Sequence, residues 1–80
     1  MSADEMFQEL GYYKKVIPKE YSDIDHEEIR YGRYIDKKLI KFNLDCKQVL
    51  CEYLGGLSAS ITMQELQAIN KKCKEIGWIE

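Results

Sequence analysis

The stretch from Ser60 to Trp78 constrains this chain most, because it carries a complete helix with both a start and a stop. Thr62 and Glu65 have the spacing of a capping box, in which hydroxyl and carboxylate each satisfy an otherwise unpaired backbone N–H. Leu66, Ile69, Cys73 and Ile76 recur at three- and four-residue steps and form one apolar stripe. Gly77 supplies the left-handed residue that ends a helix, and Trp78 can fold back over the last turn. Such a helix needs a surface on which to bury its stripe, and the rest of the chain must build it.

The preceding residues supply strands. Ser2 and Glu5 repeat the capping-box spacing, with Met6, Phe7 and Leu10 on one face of a short helix that Gly11 closes. A helix of about two turns is not stable alone and must dock. Residues 12–17 have strand composition, and Pro18 prevents a central strand from continuing. Residues 18–26 are polar and acidic and read as a loop. Residues 27–34 resume strand character, with Ile29 and Tyr31 on one face and Arg30 and Tyr34 on the other. Ile40, Phe42 and Leu44 alternate with Lys41 and Asn43, and a turn at 45–47 returns the chain along Val49, Cys51 and Tyr53. Leu50 and Leu54 interrupt that second alternation, which implies cover on both faces or a bulge. Residues 57–61 can add a short edge strand. The expected fold is α+β, one domain over residues 1–80: a small antiparallel three- to four-stranded meander packed by a C-terminal helix, with a short N-terminal helix. Leu66, Ile69, Cys73 and Ile76 are expected to bury against Ile40, Phe42, Leu44 and Val49, so that Leu66→Asp unfolds the domain.

Eighty residues allow one modest core. It buries about 60–65% of the unfolded surface and supplies roughly 3–5 kcal/mol of stability. With 45% hydrophobic and 32% charged residues, the composition is that of an ordered globular chain. A net charge of −2 argues against a protein whose main task is to coat nucleic acid, although it permits a local basic patch. Three cysteines, Cys46, Cys51 and Cys73, leave one unpaired in any disulfide scheme. Residues 1–10 contain Asp4, Glu5 and Glu9 and no apolar run, which does not read as a signal peptide, and no membrane span is evident. The expectation is a reduced, cytoplasmic protein with no cofactor.

Motifs for chemistry are near misses. His26-Glu27 begins a zinc motif, but Arg30 stands where its second histidine belongs. Glu20, Asp23, Asp25, Glu27 and Glu28 form an acidic stretch without the glycine and spacing of a calcium loop. Gly55-Gly56 lacks the Lys of a phosphate-binding loop, and one histidine leaves little room for a catalytic dyad. The sequence therefore reads as a non-enzyme.

Two features point elsewhere. Tyr12, Tyr13, Tyr21, Tyr31, Tyr34 and Tyr53 exceed what so small a core can bury, and Tyr and Arg are favoured interface anchors. Arg30, Arg33, Lys37, Lys38 and Lys41 gather around the first hairpin with Tyr34 among them, as on a sheet that stacks single-stranded bases. The interaction set is Arg30, Tyr31, Arg33, Tyr34 and Lys41. It serves either another protein (possible homodimer included) at a sheet edge or, less favoured, nucleic acid. No membrane partner is expected.

Residues 6–12, the run 40–44 with Lys47 and Val49, and residues 61–70 through Ile76-Gly77-Trp78 together resemble a class of small proteins encoded by phages and prophages of low-GC Gram-positive bacteria. The class has no established activity, so the resemblance carries over no functional residue. It implies a small accessory protein in the cytoplasm of a bacterial host.

Overall fold

The computed structural model describes residues 1–21 and 26–80 of the chain. The element order is α1 (Ala3–Glu9), β1 (Tyr13–Ile17), a single 3-10 turn at Lys19–Tyr21, β2 (Glu28–Arg33), β3 (Lys38–Asn43), β4 (Gln48–Tyr53) and α2 (Met63–Glu75). The strands form one antiparallel sheet in the order β1-β2-β3-β4, an α+β meander. The molecule is 18 Å across its thinnest dimension, which accommodates one sheet and one layer of helices.

Local signals set the helix ends. Ser2 Oγ accepts from the Glu5 N–H at 3.2 Å while Glu5 Oε1 accepts from the Ser2 N–H at 2.9 Å, and Thr62 and Glu65 repeat the exchange at 3.1 and 2.9 Å. Gly11 and Gly77, at φ of 91° and 78°, turn the chain out of α1 and α2. Tyr12 N–H then reaches back to Phe7 O at 3.0 Å and Trp78 N–H to Cys73 O at 2.8 Å, the six-to-one bond that closes a helix after a left-handed residue.

Both helices lie on one face of the sheet, over Ile29, Tyr31, Ile40 and Phe42. Phe7 stacks on Tyr31 with ring centroids 3.9 Å apart and meets Tyr12 and Phe42 edge to face. A fully buried aromatic ring contributes roughly 1.5–3 kcal/mol, more than a seven-residue helix gains from its own hydrogen bonds, so docking of Phe7 holds α1 in place. The helices run side by side with opposite sense: Glu75, at the end of α2, accepts from the Ala3 N–H at the start of α1 at 2.8 Å.

Four corrections concern packing. Leu66 is 47% exposed, and the buried face of α2 is Glu65, Ala68, Ile69 and Lys72, with Cys73 and Ile76 half-buried beside them. The helix is rotated so that Glu65, not Leu66, enters the sheet side. Leu50 is 54% exposed in an unbulged β4, because it faces away from the helices. Residues 57–61 form no strand. Ser58 makes a single bridge to Glu52, and Tyr53 N–H and Cys51 O bond to Leu57 O and Ala59 N–H. Lys38, grouped by sequence with the basic residues offered to a partner around the first hairpin, lies in β3 and is buried on the helix side. The described residues form four strands. The central part of the acidic loop, with Asp23 and Asp25, lies outside the described residues.

Candidate interaction surface

Register divides the charged side chains between two faces. On the helix side, Glu65 is 1% exposed. Its Oε1 accepts from Lys38 Nζ at 2.7 Å and the Thr62 N–H at 2.9 Å, and its Oε2 from the Tyr12 hydroxyl at 2.5 Å and Arg33 Nη2 at 3.4 Å. Burial pushes the Glu65 carboxyl up, but the hydrogen bonds from Lys38, Thr62 and Tyr12 outweigh it and leave the group below its ordinary range. Burial and the Glu65 hydrogen bond drive the Tyr12 hydroxyl far above its usual value. At the other end of the helix pair, Asp4 accepts from the Tyr31 hydroxyl at 2.5 Å and from Lys14 and Lys72 at 3.0 and 3.4 Å. Burial raises its carboxyl, yet these donors and charges bring it down to about 2.

Among the described residues, neither α-helix packs on the opposite face. Antiparallel pairing places Lys15, Arg30, Lys41 and Leu50 in one cross-strand row, and Tyr13, Gly32, Leu39 and Glu52 in the next. Arg30 Nε holds Glu28 at 2.7 Å, His26 Nε2 holds the same carboxylate at 2.7 Å, and Lys41 pairs with Glu52. Lys15 makes no ion pair among the described residues.

Gly32 shapes the second row. A methyl group there would stand 2.9 Å from the Tyr13 hydroxyl oxygen and 3.2 Å from a Leu39 methyl, so the missing side chain lets the Tyr13 ring lie across the sheet. Tyr34, in the β2–β3 turn, stacks on that ring at 4.7 Å and an interplanar angle of 19°, and is itself 80% exposed. Tyr13, Tyr34, Leu39 and Leu54 line a cavity of about 190 Å³, with Lys37 at its wall. An open groove of about 570 Å³ lies at the other end of the face, over Glu28, Arg30, Lys41, Asn43 and Leu50.

The five sequence-selected residues therefore separate. Arg30 and Lys41 share the helix-free face, and Tyr34 closes its aromatic end. Tyr31 is 1% exposed beneath Phe7, so it is a core residue and no surface anchor. Arg33 also turns to the helix side, donating to Leu10 O at 3.0 Å and lying 4.7 Å from the Tyr12 ring centre. Its hold on Asp36 at 2.8 Å completes a structural clamp. β2 and β3 are the inner strands, so none of the five lies on an edge strand. Sequence reading missed Tyr13, Leu39 and Leu54. The alternation 39–44 already placed Leu39 opposite Ile40, and an exposed-side leucine next to Gly32 was the available signal.

Among the described residues, no three His, Cys, Asp or Glu side chains stand close enough to hold a metal ion. The three cysteines are free thiols, Cys46 exposed and Cys51 and Cys73 half-buried, and burial raises the thiol pKa of the latter two. Among the described residues, no helix is long and apolar enough to cross a membrane. No family model, curated protein or solved structure matches the chain.

Proposed function

We propose that this protein is a binding module that docks another protein chain on the helix-free face of its sheet. The observation that carries the reading is the Tyr13–Tyr34 stack with Leu39 and Leu54. Tyr13, Tyr34 and Leu54 are exposed and Leu39 is half-buried, and none of the four belongs to the core cluster, while tyrosine brings large contact area at low entropic cost. Resemblance to phage-encoded proteins makes a host or phage protein in the bacterial cytoplasm the natural partner, and a second copy of the chain the simplest one. Sedimentation at micromolar concentration reads self-association directly. Partner capture is then compared between the parent and a Tyr34→Ala, Leu54→Ser variant whose fold is verified by its melting curve. The parent should retain a partner that the variant loses; equal capture by both removes the surface from consideration.

A second reading rests on the in-register row Lys15, Arg30 and Lys41, which could track a single-stranded phosphate backbone beside the Tyr34 ring. Arg30 and Lys41 already hold Glu28 and Glu52, which weakens it. Binding of single-stranded DNA that falls steeply with added salt would favour this reading over the first.

A further inference from the structure

Resting on the protein-docking reading, we infer the chemistry of the partner: an extended acidic segment that places one bulky apolar side chain in the Tyr13–Tyr34 cavity and carboxylates on either side of it. Cavity size argues for a side chain. At about 190 Å³ it lies below the roughly 300 Å³ where small-molecule sites begin, and two tyrosine rings and two leucines line it together with Arg33, Lys37 and Lys38.

Charge placement argues for acid. Lys37, exposed and without an ion pair among the described residues, stands on the turn side of the cavity. The row Lys15, Arg30 and Lys41 stands on the other, two residues further along the strands, or about 7 Å from the Tyr13–Gly32–Leu39 row. The two carboxylates that this row holds are recessed. Glu28 retains 4% side-chain exposure beneath Arg30 and His26, and Glu52 retains 16% beneath Lys41. Arg30 and Lys41 keep 29% and 23%, so the cations are more accessible than the anions they hold. The face thus presents positive charge on both sides of the cavity; on the turn side Arg33 holds Asp36, which is 36% exposed, and Lys37 supplies the charge with no ion pair among the described residues. A partner matching it has carboxylates within two residues of its anchor, since an extended chain advances about 3.3 Å per residue.

The same inventory disfavours nucleic acid as the occupant. Among the described residues, only Lys15 and Lys37 around the cavity are free of an internal carboxylate, so phosphate binding would release few counterions.

The test is unbiased selection. The full chain is panned against a random-sequence peptide library, and the enriched peptide is titrated by fluorescence anisotropy. The expected consensus is one leucine- or phenylalanine-sized residue flanked by aspartate or glutamate. Tyr34→Ala should weaken binding by about tenfold or more, and Lys15→Glu by about fivefold, as loss of an anchor and reversal of a rim charge require. Both positions are exposed, so the variants remain folded. A consensus that depends on Tyr34 but is basic or uncharged overturns the acidic partner and leaves the docking face standing. A consensus indifferent to Tyr34→Ala overturns both. No enrichment overturns the peptide assignment, and a folded partner must then come from the capture experiment. Single-stranded oligothymidylate bound more tightly than any selected peptide, and released by salt, assigns the face to nucleic acid instead.

Discussion

The two faces of the sheet handle charge in opposite ways. Under the helices, Glu65 and Asp4 collect donors from β-strands and helices alike, and no buried side-chain N or O atom among the described residues lacks a hydrogen-bond partner. Away from the helices, Arg30 and Lys41 each hold a carboxylate yet remain partly open, while Lys15 holds none among the described residues. Burial makes the difference. A charge removed from water must be fully paired, whereas a solvated one is free to be used. The aromatic residues divide likewise: Phe7, Tyr12, Tyr31 and Phe42 fill the core, and Tyr13 and Tyr34 stack on each other in the open.

If that contrast is right, the largest stability loss comes from the covered side. Lys38→Met leaves Glu65 buried with only Arg33, Tyr12 and the Thr62 N–H to satisfy it, and should cost about 3 kcal/mol. That approaches the roughly 3–5 kcal/mol a core of this size supplies, so a thermal melt should move down by more than about 10 °C or lose cooperativity. An unchanged melt would show that the ion pair is dispensable and that the two faces do not differ in the way described.

Acid acts on the same groups. The Asp4 and Glu65 carboxyls sit below their ordinary values when folded, so the stability they add is present above the unfolded pKa and is lost as pH falls. Stability should decline between about pH 5 and pH 2, with Asp4 accounting for about 1 kcal/mol once solvent screening of its half-exposed side chain is allowed for. Tyr12 and Tyr31 are raised, so their contribution is complete below about pH 10 and is lost above it. Denaturant midpoints measured across pH for the parent and Asp4→Asn check this; identical acid slopes would remove Asp4 from the account.

Periodicity and caps made most of the architecture legible. Ser2 and Glu5, Thr62 and Glu65, Gly11 and Gly77 each marked a helix end, and the alternation of Ile40, Phe42 and Leu44 marked a half-buried strand. The rotation of α2 was not legible, because a capping glutamate and a buried one look alike in sequence. Only tertiary contact reveals that Glu65 carries Lys38, Tyr12 and Arg33 as well as its cap. Leu66 then falls outside the interface, and Leu66→Asp should cost less than about 1 kcal/mol, a surface-type effect. Unfolding by that substitution would restore the stripe read from sequence. The candidate surface was half visible. Arg30, Lys41 and Tyr34 stood out by residue type, but Tyr31 and Arg33 were separated from them by the two-residue alternation of β2, which sends each to the helix side.

The smallest expected stability effect is the sharpest test of the open face. Gly32→Ala places a methyl group under the Tyr13 ring, which must lift. What yields is the far end of a 42%-exposed side chain, and alanine also costs less than glycine in backbone entropy. Unfolding free energy should therefore change by less than about 0.5 kcal/mol, in either direction. The Tyr13–Tyr34 stack should nevertheless be disturbed, which the ring resonances of these two tyrosines report by NMR while those of Tyr12 and Tyr31 stay in place. A loss of about 2 kcal/mol or more would mean that the Tyr13 ring belongs to the packed structure after all. In that case the aromatic end of the face is stabilising the fold, and its exposure no longer marks a surface held in reserve for a partner.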